Sequence, residues 1–171
     1  LDLLLNAMAY PEIRKMNLKL IVAGEFYDSK EPYLKIVKEN NLKDTVTILD
    51  RFIPNHEVAD YFNMSDLIVL PYKSATQSGV TQIAFHFEKP MVVTDVGGLS
   101  EIVPHGKAGY VIKPKVKEIV HAITDFYNHK KQETFSAGIR DLKKQYSWDR
   151  MTKTIFNLVH HIINYKNDNQ K

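Results

Sequence analysis

The chain has 171 residues, no cysteine, 44% hydrophobic and 25% charged residues, and a formal net charge of +3. That length can bury one full-sized core, and the lack of cysteine excludes disulfides, thiolate metal sites and cysteine nucleophiles within these residues. The basic excess is too small and too scattered to argue for nucleic acid, and no apolar run is long enough to span a bilayer.

Leu1, Leu4, Leu5 and Met8 have helical spacing and predict an amphipathic helix that Pro11 ends. "LKLIVAG", from Leu18 to Gly24, predicts a buried strand meeting a tight glycine loop. Glu31-Pro32 opens a helix with proline in its first turn, and Leu34, Val37 and Tyr33 are expected to face inward. "TVTILD" (Thr45 to Asp50) is the next strand. "NHEVADYF" follows as a helix with an Asn55 cap and a Val58, Tyr61, Phe62 stripe. "DLIVLP" (Asp66 to Pro71) is a third strand closed by proline.

A small polar loop, Thr76-Gln77-Ser78-Gly79, then runs into a helical segment. "PMVVTD" is a fourth strand, "GLSEIV" a short helix capped by Ser100 or Glu101, and "GYVI" (Gly109 to Ile112) a fifth strand. Lys113, Lys115 and Lys117 predict a solvated face. Val116, Ile119, Val120, Ile123 and Phe126 form one helical stripe. "ETFSAGIRDLKKQY" is a weaker helix with Gly138 inside it. "SWDRMTKTIFNLVHHIINY" is a long one, with Ser147 as cap and Ile155, Leu158 and Ile162 inward, before a polar tail that frays.

Short apolar strands alternating with helices indicate an α/β fold, a parallel sheet covered on both faces, in one domain. Ligands of such sheets bind beyond the carboxyl ends of the strands. Four loops meet that rule: Gly24 to Tyr27, Asp50 to Pro54, Tyr72 to Gly79, and Asp95 to Gly98.

In the third loop, the amides that open the following helix suit phosphate, Ser78 adds a hydroxyl, and Gly79 lets the backbone come close. An ordinary serine-capped turn explains the same residues. Neither a Walker loop nor a dinucleotide fingerprint is present. Arg51, Phe52 and Ile53 either flank a planar base or pack down with arginine in solvent. Gly97 and Gly98 read, on spacing, as a tight turn. None of the seven histidines has partners at a metal-binding spacing, Ser78 lies in no nucleophile elbow, and no catalytic residue can be assigned.

Taken together, these segments resemble the C-terminal, donor-nucleotide-binding half of a family 4 GT-B glycosyltransferase, of the bacterial group 1 type. "LDLLLNAM", "LKLIVAGE", the run "NLKDTVTILDRFIPNHEVADYFNMSDLIVLPY", "EKPMVVTDVGGLSEIVPHGKAGYVI" and "YSWDRMTKTI" carry the likeness over nearly the whole chain. The segment around "TDVGGLSEIV" is the most specific. The resemblance implies a Rossmann-like domain spanning 1–171, taken from a longer protein whose first strand and N-terminal acceptor domain lie outside these residues. It implies retaining transfer from a nucleotide-diphosphate sugar to a hydroxyl acceptor, glycan or lipid-linked, with neither cofactor nor metal. Ser78, Gly79 and Val80, with Gln77 and Thr76, would hold the donor diphosphate. Arg51, Phe52 and Ile53 would line the base. Gly24 and Glu25 would border the cleft, and Gly97 and Gly98 would border it opposite. A cytoplasmic parent at the inner face of the membrane, peripherally associated with it, fits the same family.

Two departures stand out. Many members carry a glutamate pair where this chain has Ala75 and Ile83, so Thr76, Gln77 or Gln82 would supply neutral hydrogen bonds instead. The family's arginine and lysine cations precede the position of Leu1. A GT-B nucleotide-sugar epimerase and a binding module without catalysis share the implied fold and stay open as alternatives.

Overall fold

The computed structural model describes residues 1–145, 152–153 and 155–160. The strand β4 (Met91–Thr94) organises it, because all four of its residues are buried. Successive strand side chains point to opposite faces. Val92 accordingly joins one core, while Met91 and Val93 join the other. Two strands flank β4 in parallel, β3 (Ile68–Leu70) and β5 (Gly109–Ile112), with Leu70 opposite Val93 and Ile112 opposite Thr94. A second parallel pair, β1 (Leu20–Ala23) and β2 (Val46–Leu49), aligns Leu20 with Val46.

The expected single sheet is therefore two hydrogen-bonded sheets, β1-β2 and β3-β4-β5. Among the described residues β1 pairs only with β2, and β3 only with β4, so each keeps one unpaired edge. One apolar layer nevertheless runs under both sheets. It takes Leu20, Val22 and Val46 from one and Val69, Val92 and Ile112 from the other.

Helices cover this layer from below: α1 (Asp2–Met8) with Leu4 and Leu5, α3 (Glu31–Glu39) with Val37, and α7 (Val116–Asn128) with Ile119, Val120 and Ile123. The other face of β3-β4-β5 packs on Ala84 of α5 (Gly79–His86), Leu99 of α6 (Leu99–Ile102), and Ile139 and Leu142 of α8 (Gln132–Gln145). Burying each such leucine or isoleucine is worth about 1.5–3 kcal/mol. Helices on both faces of parallel strands make the fold α/β and Rossmann-like, as expected.

Several local expectations change for physical reasons. Pro11 does not simply end α1; it opens α2 (Pro11–Arg14) at a first-turn position, where its fixed φ suits the helix. Before α4 (Asn55–Met64), the extended Pro54 holds the cap position, so Asn55 is already helical and caps nothing. Gly98 holds that position before α6, so neither Ser100 nor Glu101 caps it. Leu34 is 42% exposed although its helical spacing pointed inward. Gly138, inside α8, marks a close approach: a side chain there would meet the Lys107 carbonyl oxygen at 2.1 Å. Ile155 and Leu158 are exposed rather than inward-facing. Ser147, Ile162 and the polar tail lie outside the described residues. Among the described residues, no helix is long and apolar enough to cross a membrane.

Candidate functional site

The loops at the carboxyl ends of the strands form two groups, one on each sheet. On the β1-β2 sheet, Asp50 ties two loops together. Its carboxylate accepts from the Phe26 N–H at 3.3 Å and from Lys30 Nζ at 2.6 Å. The Lys30 bond, and then the Phe26 amide, hold the Asp50 carboxyl below its usual range. Gly24 adopts a φ of +140° and donates its N–H to the Leu49 carbonyl at 3.2 Å. Glu25 is exposed beside it.

Arg51 lies in the same group but is already engaged. Its guanidinium forks onto Glu57 of α4, reaches Tyr61 Oη at 3.3 Å and donates to the Phe52 carbonyl at 3.2 Å. The Arg51 hydrogen bond holds Glu57 below the usual carboxylate range. Phe52 is 66% exposed, which leaves a ring face open at the loop, while Ile53 is half-buried. Tyr27 is 98% exposed on the neighbouring loop. Sequence reading passed over it because exposure of a loop aromatic has no periodic signature.

On the β3-β4-β5 sheet, the loop from Tyr72 to Ser78 is held at three points. The buried Thr94 hydroxyl donates to the Tyr72 carbonyl at 2.6 Å. The Tyr72 and Ser78 hydroxyls meet at 3.2 Å. The Gly98 N–H donates to the Thr76 carbonyl at 3.0 Å. Gly97 sits at φ +55°, and a Cβ there would lie 1.8 Å from the Ala75 carbonyl oxygen. Gly97 and Gly98 thus stand against this loop instead of facing it from across a cleft.

Ser78 occupies the cap position of α5 in extended backbone, yet its side chain does not cap the helix, because the hydroxyl is turned to Tyr72. Its carbonyl accepts from the Thr81 N–H and hydroxyl, at 3.2 and 2.6 Å. Among the described residues the N–H groups of Ser78, Gly79 and Val80 meet no acceptor. Unpaired amides at a helix N-terminus are where an anionic ligand gains most. Val80 turns its side chain into the second core, and Thr76 and Gln77 are exposed at the rim. Ala75 packs against the same core and Ile83 is half-buried, so neither position offers a polar group.

Lys73 and Asp2 are further residues that sequence reading missed. Lys73 Nζ reaches Asp2 Oδ2 at 2.8 Å, joining the loop to the first turn of α1. A lysine in a loop and an aspartate 71 positions earlier leave no joint signal in the chain. A concavity of about 840 Å³ lies elsewhere, between α2 and α7, and is lined by Glu12, Lys15, Lys117 and His121 among others. None of the predicted site residues borders it, and open α/β sheets bind ligands at strand carboxyl ends, so the loop groups are the stronger candidate. Among the described residues no three or more His, Asp or Glu side chains gather as a metal site.

The sequence profile described as glycosyl transferases group 1 matches residues 1–129. A D-inositol 3-phosphate glycosyltransferase of Pseudarthrobacter chlorophenolicus is 34% identical over 98 residues, covering 57% of this chain and 23% of that protein. The crystal structure of the C-terminal domain of a group 1 family glycosyl transferase, LpcC of Francisella tularensis, is similar at TM-score 0.73 and 15% identity. It covers 84% of this chain and 76% of that one. Anabaena HepE in complex with UDP and glucose is similar at TM-score 0.69 and 18% identity, over 94% of this chain and 44% of that one. At such identities the structural likeness speaks for the fold. The chain spans between 23% and 40% of the length of the curated relatives it matches.

Proposed function

The chain belongs to the group 1 glycosyl transferases, and from that premise we propose that it is the donor-binding, C-terminal half of a two-domain GT-B enzyme. The whole enzyme transfers a sugar from a nucleotide-diphosphate donor to a hydroxyl acceptor with retention. The observation that carries the reading is the set of N–H groups without an acceptor among the described residues, at Ser78, Gly79 and Val80, on a loop that Tyr72, Thr94 and Gly98 hold.

In this reading the diphosphate lies on those amides, with Thr76 and Gln77 at its edge. The base lies toward Phe52 and Ile53, with Arg51 held by Glu57 as a rigid wall. Gly24 and Glu25 border the same space, and Gly97 and Gly98 brace the phosphate loop from behind. Uridine diphosphate is the nucleotide in the HepE complex, which makes it the first probe for this chain. The acceptor hydroxyl oxygen bonds to the anomeric carbon as the bond from that carbon to the diphosphate oxygen breaks. The electron pair leaves with the diphosphate, and the hydroxyl proton passes to the departing oxygen. Amides fixed in place lower the barrier by meeting that developing charge without reorganising.

The unpaired edges of β1 and β3 support the two-domain proposal. One parallel strand between them, from a longer parent polypeptide, would merge the two sheets into one. The acceptor would then bind on the parent's other domain.

The test is a titration of the 171-residue chain with uridine diphosphate and with inorganic pyrophosphate, read by amide NMR. Shifts at Ser78, Gly79 and Val80 with both probes, and at Phe52 with the nucleotide alone, are expected. If no probe moves Ser78 to Val80, the diphosphate assignment is wrong. Sugar transfer by the 171 residues alone would overturn the two-domain reading.

A further inference from the structure

The Ser78 to Val80 amides carry no formal charge to neutralise a diphosphate, and the described cations near the strand ends differ in how they could supply it. Arg51 is committed to a fork with Glu57 and to two further acceptors. Lys30 is committed to Asp50, which also takes the Phe26 amide and so fixes the β1 loop. Both stand on the β1-β2 sheet. Lys113 and Lys115 follow β5, which β4 separates from β3, so they begin about two strand spacings, roughly 10 Å, from the phosphate loop.

Lys73 is paired with a carboxylate too, but it differs in its place and its exposure. It stands on the phosphate loop itself, directly after Tyr72, whose hydroxyl meets Ser78. Its side chain is 66% exposed, and its one ion-pair partner among the described residues is Asp2. That partner belongs to another element, the first turn of α1, and its own charged state leans on Lys73. Burial opposes ionisation of Asp2, and the Lys73 hydrogen bond and charge, together with the Leu1 ammonium and the Leu3 amide, outweigh it, so the carboxyl lies below its usual range. The carboxylate thus holds an exposed ammonium between the loop and the first turn of α1. An ammonium on a four-carbon stem can exchange one anionic oxygen for another at small cost, because its three donors rotate freely.

We infer that Lys73 is the cation this chain contributes to the donor diphosphate, and that Asp2 is the competing anion that occupies it until donor arrives. The inference rests on the diphosphate reading above and adds to it the neutralising charge that the amides lack. With Ala75 and Ile83 apolar, no carboxylate on the loop or on α5 competes with the diphosphate for Lys73.

Three variants of the 171-residue chain test it, with inorganic pyrophosphate and uridine diphosphate as probes, by calorimetry at low salt. Lys73→Gln should weaken pyrophosphate binding about tenfold, the usual worth of a charge-assisted contact. Lys73→Arg should keep most of it. Asp2→Asn should bind as well as wild type or up to about threefold tighter, since it releases the ammonium from a competitor. Raising the salt should narrow the gap between wild type and Lys73→Gln. Equal binding by wild type and Lys73→Gln would overturn the inference. So would parallel weakening by Lys73→Gln and Asp2→Asn, because the pair would then be a strap whose loss disorders the loop. Should wild type bind neither probe, the diphosphate reading itself falls and the inference falls with it.

Discussion

The Gly98 N–H donates to the carbonyl oxygen of Thr76 across 3.0 Å, and the residue before it, Gly97, presses on the carbonyl of Ala75. Two turns that are 22 residues apart in the chain are therefore one structure in space. The turn after β4 fixes where the loop after β3 can lie, and the loop fixes the direction of the α5 amides.

A side chain at Gly97 should break this arrangement. The position has φ +55°, which costs an L-residue about 1–2 kcal/mol, and the new Cβ would overlap the Ala75 carbonyl. Gly97→Ala should lower stability by about 2–4 kcal/mol, at the upper end of ordinary single substitutions, and weaken diphosphate binding with it. Gly98→Ala is the control: φ is −87° there and the nearest atom, the Thr76 carbonyl oxygen, is 3.2 Å away. It should cost less than about 1 kcal/mol. Urea melts of the two variants decide the point, and equal losses would mean that the close approach of Gly97 is not what holds the turn.

Thr94 should matter more than its small size suggests. It is 1% exposed at the end of β4, and its hydroxyl satisfies the Tyr72 carbonyl at 2.6 Å. Thr94→Val keeps the branched shape and leaves that carbonyl without its donor. A loss of about 1–3 kcal/mol is expected, seen as a lower urea midpoint at an unchanged slope. Thr94→Ser should restore the hydrogen bond and forfeit only a methyl group, about 0.8 kcal/mol. If valine is tolerated better than serine, packing and not the hydroxyl anchors Tyr72.

These residues also mark how far the sequence could be read. The apolar run Met91 to Thr94 is buried on both faces, so its composition announces a central strand. The α7 stripe likewise announces its buried face. Local chemistry placed the polar loop after β3 and the glycine turn after β4, but not their contact, because the pairing of Gly98 with Thr76 depends on two strands lying side by side. Asn55 and Ser100 are cap-type residues one or two positions too late, and the conformations of Pro54 and Gly98 decide where each helix begins. Leu34 has inward spacing and yet is 42% exposed, since helical period gives a face and not the partner that covers it. Arg51 was legible as a loop cation, whereas its capture by Glu57 needed the direction of α4.

Glu88 supplies a prediction in which the sign can be worked out. It has φ +57° just ahead of β4, and its carboxylate takes Lys143 at 3.1 Å and Arg140 at 3.3 Å, both from α8. The Lys143 hydrogen bond is the largest influence. Partial burial opposes it, Arg140 adds to it, and the carboxyl ends below its unfolded value of 4.5. A carboxyl depressed in the folded state binds fewer protons there than in the unfolded chain. Its stabilisation is complete above the unfolded pKa and fades as the pH falls below 4.5 through the lower folded value. The groups are near the surface, so the contribution should stay below about 1 kcal/mol. Asp2, Asp50, Glu57 and Asp125 are depressed too and act in the same direction, so wild type alone cannot isolate Glu88. The difference between wild type and Glu88→Gln can: it should shrink steadily on acidification through this window, and shrink at every pH when salt screens the pair. Stability curves for the two proteins that run parallel from neutral pH into this acid range would show that Glu88 does not tie α8 to the strand it precedes.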